Sequence, residues 1–156
     1  MAVPVRSAGI LLYKRQGEAL MVLLVHPGGP FWVKKDLGAW SIPKGEHGPA
    51  DDPRETALRE FEEELGHRLS GELAELGEAV QAGRKRVLAF ALEGDLDARE
   101  ITSNTFELEW PPRSGRRQLF PEVDRAEWLE IEAAREKILE GQRIFLDRLV
   151  ALIRGK

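Results

Sequence analysis

Three glutamates on one predicted helix are the residues of this chain whose spacing points most directly to chemistry. Glu60, Glu63 and Glu64 stand at positions i, i+3 and i+4, so a helix places them on one face. Carboxylates this close repel each other unless a cation neutralises them, and Mg²⁺ prefers carboxylate oxygens and water as ligands. The spacing therefore predicts either a divalent-cation site or an acidic helix face that is only solvated.

The helix that must position these glutamates has clear start and stop signals. Asp52 suits the N-cap, Pro53 suits the first helical position, and Glu55 stands where a capping box has its acid. Gly66 suits the left-handed residue that ends a helix. These signals predict a helix over residues 53–65. Its buried stripe comprises Leu58, Phe61 and Leu65.

The segment "IPKG" precedes this helix and follows a predicted short strand, "AWSIP". Because glycine lets the backbone approach a ligand closely, the carbonyl of Gly45 is an uncharged candidate ligand for a cation. Lys44 stands next to it and is well placed to contact a phosphate. The helix and the loop before it together predict a site for a cation and an anionic ligand.

The stretch that begins at Gly45 resembles the signature of the Nudix hydrolases, G-x5-E-x7-R-E-U-x-E-E-x-G-U, where U is a bulky apolar residue. We call this stretch, residues 45–67, the box. Two positions depart from it, because Asp51 replaces a glutamate and His67 replaces an apolar residue. Asp51 is one methylene shorter than glutamate, so we expect its contact to the site to be lost or bridged by water. The positions that match in register are Gly45, Arg59, Glu60, Phe61, Glu63, Glu64 and Gly66.

The resemblance implies an α/β fold, the Nudix-type α/β/α sandwich with a mixed β-sheet, spanning residues 1–156 as a single domain. It implies a pyrophosphohydrolase with Mg²⁺, or alternatively Mn²⁺, as cofactor. Arg59 would orient Glu60 by a charge-assisted hydrogen bond. The residues with catalytic roles would be Arg59, Glu60 and Glu63. The metal ligands would be Gly45, Glu60, Glu63 and Glu64.

The catalytic base and the contacts to substrate stay open at the level of the sequence. The family uses either a box glutamate or one from a distant loop, which leaves Glu60, Glu107, Glu109 and Glu122 as candidates. A basic loop after the predicted strand "TFELEW" could hold a phosphate chain and stack a base. The candidate substrate-binding residues are Lys44, Trp110, Arg113, Arg116 and Arg117.

Three functions are compatible with these residues. The segment "PKG" before the box resembles enzymes of dinucleoside polyphosphates, so we expect a diadenosine polyphosphate or a nucleoside triphosphate as substrate. A hydrolase of oxidised or non-canonical nucleoside triphosphates is the alternative within the same class. The third is a Nudix-fold nucleotide sensor without turnover, which the presence of Arg59, Glu60, Glu63 and Glu64 disfavours.

Composition narrows the partners. The 156 residues carry a formal net charge of −4, with 23 basic and 27 acidic residues. This balance argues against a nucleic-acid polymer or a membrane as partner. The resemblance implies a small-molecule nucleotide as the partner. The chain has no cysteine, which excludes thiolate zinc sites and cysteine nucleophiles. We expect a cytoplasmic protein that is a monomer or a homodimer.

The remaining elements follow from periodicity and turn residues. Two strands, Val5–Tyr13 and Ala19–Val25, are predicted to pair across "KRQGE", and "GELAELGEAVQ" to pair with "RVLAFALEG". Two long loops are predicted, "HPGGPFWVKKDLGAW" and "PPRSGRRQLFPEVD". The strand "AEWLEI" then precedes a helical region, Glu132–Ile153, which residues Gly141 and Gln142 divide.

Overall fold

A computed structural model describes residues 5–155 of the chain. The first two strands, β1 (Arg6–Gln16) and β2 (Ala19–Pro27), form the antiparallel pair that the sequence predicts. Gln16 pairs with Ala19, so the turn consists of two residues, and the first of them is Gly17 with a φ of 62°. A two-residue hairpin turn needs this left-handed backbone, which glycine adopts without strain.

The central sheet is mixed and has six strands. Its further members are β3 (Lys44–His47), β4 (Ala74–Val80), β5 (Arg86–Glu93) and β8 (Val123–Glu130). Along the main path the order is β4-β5-β1-β2-β8, and β3 pairs antiparallel with β1. Only the β1–β5 ladder is parallel among the described ones. The predicted hairpin of the fourth and fifth strands is confirmed.

The two faces of the sheet carry separate hydrophobic cores. Helix α1 (Pro53–Leu65) buries Ala57, Phe61 and Leu65 on one face. Helices α2 (Ile131–Lys137) and α3 (Arg143–Arg154) cover the other face. Alternation along β1 serves both cores, because Ile10 packs with α1 and Leu11 with the other helices. The expected α/β/α sandwich with a mixed sheet is therefore confirmed.

One predicted strand and one predicted loop differ from the structure. In "AWSIP", Trp40 and Ser41 form only isolated bridges, and the ladder to β1 begins at Lys44. The predicted basic loop contains a strand, β7 (Arg117–Pro121). This strand pairs antiparallel with β6 (Thr105–Glu109). Both strands of this hairpin are largely exposed, so β7 lacks the alternation of buried and solvated residues that reveals a strand.

The C-terminal helical region is divided where the sequence predicts it. A short 3₁₀ turn at Glu140–Gln142 separates α2 from α3. The Gln142 side chain is fully buried and accepts from Ile42 N at 3.0 Å, which ties this turn to the segment before β3. No helix within residues 5–155 is both long enough and apolar enough to cross a membrane.

Candidate active site

Strand β3 and helix α1 meet at Gly45. A Cβ added to Gly45 would lie 2.0 Å from Cδ of Glu60, so the Glu60 carboxyl group occupies the space that any other residue would fill. The helix has the predicted bounds, with Asp52 accepting from Arg54 N at 2.9 Å and Gly66 at a φ of 74°. The glycine requirement therefore comes from a close approach of backbone and carboxylate, as a ligand-binding loop would need.

Glu64 is held against the backbone of Lys44. Its Oε2 atom accepts from Lys44 N at 2.9 Å. The pKa of Glu64 is raised to about 8 in total. Burial is the largest cause, this hydrogen bond opposes it, and the negative charge of Glu60 adds to the rise. Burial also lowers the pKa of Lys44, although the charge of Glu64 opposes this. Both shifts favour the uncharged forms, because desolvation outweighs the attraction between the two groups.

Arg59 lies between the other two box glutamates. Its guanidinium is 3.7 Å from Oε1 of Glu60 and 3.9 Å from Oε1 of Glu63. These are ion-pair distances rather than hydrogen bonds. Burial, followed by the charge of Glu63, raises the pKa of Glu60, and Arg59 opposes the rise. Glu63 is the more exposed of the two, at 44% of its side chain against 19% for Glu60.

A carboxylate from a distant loop joins this group. The last carbonyls of α1 accept from the backbone of residues 102–104, with Glu63 O 2.9 Å from Asn104 N. Asn104 O in turn accepts from Glu122 N at 2.9 Å. This connection brings Glu122 close enough for its charge to raise the pKa of both Glu60 and Glu64. Of the three distant glutamates predicted as alternative bases, Glu122 is the one at the site.

The other two distant glutamates have partners within the β6–β7 hairpin. Glu107 is 3.4 Å from the guanidinium of Arg117, and Glu109 accepts from Gly115 N at 3.1 Å. Neither lines the pocket that Lys44, Glu64 and Glu122 share. Their carboxylates are therefore occupied in holding the hairpin.

A pocket of about 220 Å³ opens beside Lys44, Glu64 and Glu122. Most of its other lining side chains are apolar. These are Val25, Pro27, Trp32, Ala39, Ile42, Val123 and Leu139. A pocket lined by both charged and apolar side chains suits a ligand that has both a phosphate and a flat ring.

The donor groups fit a hard divalent cation by their chemistry. Within residues 5–155, no three carboxylate or imidazole groups form a preassembled metal cluster. Each glutamate has a local partner instead: Glu64 has Lys44 N, while Glu60 and Glu63 have Arg59. Burial first, and then the charges of neighbouring carboxylates, raise the pKa values of Glu60 and Glu64. A cation that prefers oxygen ligands would neutralise these carboxylates.

The predicted contacts on the hairpin lie apart from this pocket. Trp110, Arg113, Arg116 and Arg117 are not among its lining residues. Trp110 packs edge to face against Phe31, with ring centroids 5.3 Å apart, and Phe31 is the neighbour of Trp32. The Trp110–Phe31 contact thus connects the hairpin to the loop whose next residue, Trp32, lines the pocket.

The two departures from the Nudix signature have local roles. Asp51 accepts from Gly48 N at 2.7 Å and so closes the loop before α1, rather than pointing to the glutamates. His67 Nε2 is 2.6 Å from the carbonyl oxygen of Glu100. The capping of α1 is made by the Asp52 side chain, and the described hydrogen bonds include none from Glu55 back to the cap.

Several pocket residues have no local signal in the sequence. Val123 reaches the pocket from the start of β8, and Leu139 reaches it from the segment after α2. Both lie far along the chain from the box. Ser41 also lines it and is held by Gln142. Trp32 has a partial signal, because an aromatic residue in a long glycine-rich loop is a candidate for stacking on a base.

Comparisons with known proteins agree with this arrangement. Residues 3–149 match the NUDIX domain family. An RNA pyrophosphohydrolase of Rhodospirillum rubrum is 29% identical over 173 residues, which covers 97% of this chain and 93% of the relative.

Solved structures show the same fold. An Ap4A hydrolase binary complex from C. elegans superposes with a TM-score of 0.64 at 22% identity, covering 97% of this chain and 99% of the other. The NUDIX domain of Shewanella oneidensis NrtR, in complex with ADP ribose, has a TM-score of 0.67 at 12% identity, covering 98% and 90% of the two chains. Together with the family match, these findings confirm the resemblance drawn from the sequence: the chain belongs to the NUDIX family of hydrolases.

Proposed function

We propose that this chain is a Mg²⁺-dependent pyrophosphohydrolase that cleaves the diphosphate linkage of a diadenosine polyphosphate or a nucleoside triphosphate. The observation that carries the proposal is the meeting of Lys44, Glu64 and Glu122 in one pocket whose other lining side chains are mostly apolar. A nucleotide needs both kinds of contact, because it has an anionic chain and a flat base.

Lys44 and Arg59 are the cations of this chain at the site. Lys44 lines the pocket, so its ammonium group would bind a phosphate oxygen of the substrate. Arg59 keeps Glu60 and Glu63 oriented through its two ion pairs. Glu60, Glu63, Glu64 and the carbonyl of Gly45 would hold Mg²⁺, which when bound supplies neutralisation of the diphosphate charge.

Glu122 is our proposed proton acceptor for the attacking water. One of its carboxylate oxygens takes a proton from the water as the new bond from oxygen to phosphorus forms, and the bond from phosphorus to the bridging oxygen breaks. The leaving phosphate keeps that electron pair. Glu122 suits this role because it is exposed and lines the pocket beside Glu64. Glu60, the base candidate within the box, lies against Gly45 instead.

The size of the pocket favours an extended substrate. Its volume of about 220 Å³ is below the ~300–1,000 Å³ of most small-molecule sites, so only part of a dinucleoside polyphosphate would lie inside. We propose that the remainder lies along the hairpin, against Trp110, Arg113, Arg116 and Arg117. The same surface would accept the 5′ end of an RNA, the substrate class in the name of the Rhodospirillum rubrum relative.

A substrate panel tests these assignments. The protein is incubated with Mg²⁺ or Mn²⁺ and with diadenosine polyphosphates, canonical and oxidised nucleoside triphosphates, ADP-ribose and RNA bearing a 5′-triphosphate. Products are identified by chromatography, which also shows the bond that is cleaved. We expect highest kcat/KM with a diadenosine polyphosphate or a nucleoside triphosphate, and loss of turnover with a chelator.

Two results would contradict the proposal. Turnover that persists in chelator would exclude the metal assignment. Nucleotide-dependent thermal shifts without turnover of any substrate would identify a sensor instead. Preference for an oxidised nucleoside triphosphate, or for RNA, would keep the reaction but replace the substrate.

A further inference from the structure

A buried histidine outside the site makes hydrogen bonds to two segments that flank the pocket. His26, near the end of β2, is fully buried. Its Nε2 atom is 2.6 Å from the carbonyl oxygen of Lys35, and its Nδ1 atom is 2.9 Å from Oδ1 of Asp124. Its ring also packs against Trp40 at 5.1 Å, edge to face. The ring is therefore held on three sides.

The donor and acceptor roles follow from the partners. A carbonyl oxygen only accepts, so Nε2 carries a hydrogen and donates to Lys35 O. The other ring nitrogen, Nδ1, lies 2.9 Å from Oδ1 of Asp124. Arg125 Nε lies 3.7 Å from the same Oδ1 atom. Asp124 thus fixes the ring plane from which Nε2 reaches the loop.

The bond to Lys35 leads directly to a wall of the pocket. Lys35 N donates to the carbonyl oxygen of Trp32 at 2.9 Å, so only two hydrogen bonds separate His26 from Trp32. Trp32 lines the pocket, whereas His26 does not. Asp124, the other partner, directly follows Glu122 and Val123, which also line the pocket. His26 thus connects, through its two hydrogen bonds, the segment that carries Trp32 and the segment that carries Glu122.

We propose that His26 is a positioning residue that holds Trp32 in place as the wall against which the nucleoside of the substrate packs. It does so without contacting the substrate. The proposal rests on the proposed function, because it assumes a nucleotide in this pocket. It predicts that loss of the bond to Lys35 O weakens nucleotide binding and leaves the chemical step intact.

Two amide variants separate the two bonds of the ring. The amide nitrogen of glutamine takes the place of Nε2, and that of asparagine takes the place of Nδ1. His26→Gln therefore keeps the bond to Lys35 O, and His26→Asn loses it. We expect His26→Asn to raise KM about tenfold, the effect of one lost hydrogen bond, with kcat within about twofold. We expect His26→Gln to keep KM within about twofold of the unchanged protein.

The double variant His26→Asn with Trp32→Ala tests whether the effect passes through the tryptophan. Residues that act as one unit give non-additive effects. We expect His26→Asn to add no further rise in KM once Trp32 is alanine. Full additivity would overturn the proposal, and so would equal KM values for the Asn and Gln variants. A lower kcat at unchanged KM in both variants would show a merely structural role and would also overturn it.

Amide hydrogen exchange on the free protein tests the same contact without turnover. His26→Asn should speed exchange at Lys35 N–H while leaving Ile10 N–H, which donates to Pro43 O within the sheet, unchanged. Unchanged exchange at Lys35 would overturn the proposal. An inactive but folded wild-type protein would refute the proposed function alone. His67→Asn is the matched control, since it loses a similar bond from Nε2 to a carbonyl at 2.6 Å far from this loop, and KM should not change.

Discussion

The box helix and the β6–β7 hairpin are both rich in charge, but only one of them is electrostatically strained. At the helix, Glu60 and Glu64 are partly buried and their pKa values are raised. On the hairpin, Arg117 pairs with Glu107 at 3.4 Å and the side chains are largely exposed. Water screens the hairpin charges, whereas burial leaves those of the helix without enough compensation.

This difference in burial means that the charges of the helix lower the stability of the fold, whereas those of the hairpin do not. Carboxylates held together without a cation oppose folding, and the proposed Mg²⁺, which would bind only the folded state, would offset that cost. Exposed pairs such as Arg117–Glu107 contribute little to stability in either direction. Substitutions at the helix should therefore have large effects on activity, and substitutions on the hairpin small ones.

The largest effect is expected for Glu64→Gln. It keeps an acceptor for Lys44 N but removes the negative charge, so we expect kcat/KM to fall about a thousandfold. The matched control is Glu62→Gln on the same helix, because Glu62 is half exposed and pairs with Arg68 at 3.4 Å. Steady-state kinetics with Mg²⁺ compares the two. Equal losses for both variants would show that the helix acts through its total charge rather than through one face.

Gly45→Ala should be the next most severe change. Its new Cβ would lie 2.0 Å from Cδ of Glu60 and would displace that carboxylate. A displacement of about 1 Å at a catalytic site costs about a hundredfold in kcat. The control is Gly48→Ala just after β3, whose Cβ would meet Asp51 at an ordinary 3.4 Å. Retained activity in Gly45→Ala would show that Glu60 need not lie against the backbone.

The strained carboxylate should also make stability depend on pH. Glu64 has a pKa of about 8 in the folded protein, against 4.5 for an ordinary glutamate. Between these two values the folded state binds more protons than the unfolded state, so the free energy of unfolding falls as pH rises. In the presence of a chelator, we expect Tm to be a few degrees lower at pH 8 than at pH 6.

Two further measurements isolate the contribution of Glu64 to that pH dependence. Glu64→Gln should flatten the slope of Tm between pH 6 and pH 8, because the variant has no carboxyl group to titrate. Added Mg²⁺ should raise the Tm of the wild-type protein most at pH 8, where protons compete least for the carboxylates. An unchanged slope in Glu64→Gln would assign the pH dependence to other groups.

The smallest effect is expected on the hairpin. Arg116→Ala should raise KM for a diadenosine polyphosphate about threefold to tenfold, through loss of one exposed phosphate contact. Arg117→Ala should have less effect, since that charge already pairs with Glu107. The Arg116 effect should shrink as salt is added. Identical KM values for both variants and the wild type would remove the hairpin from the substrate site.

Local patterns predicted the helix and its caps because neighbouring residues alone determine them. Asp52, Pro53 and Gly66 mark the ends of α1, and positions 60, 63 and 64 share a face in any helix. The hairpin strand β7 was missed because both of its faces are exposed and its composition is that of a loop. The choice among three distant glutamates was equally beyond local spacing, since it depends on where residues 102–104 meet the end of α1.

By itself, the sequence of this protein determined the box, which has a glycine, an arginine and three glutamates at fixed spacing. It also determined the limits of the helix that carries the arginine and the glutamates. Only the tertiary structure decided that Glu122 and Trp32 line one pocket with Lys44 and Glu64, that Glu64 is buried enough to raise its pKa to about 8, and that His26 connects Lys35 with Asp124 beside that pocket. The reason is that helix geometry is a property of consecutive residues, whereas burial and the meeting of distant segments arise only when the sheet and its helices pack.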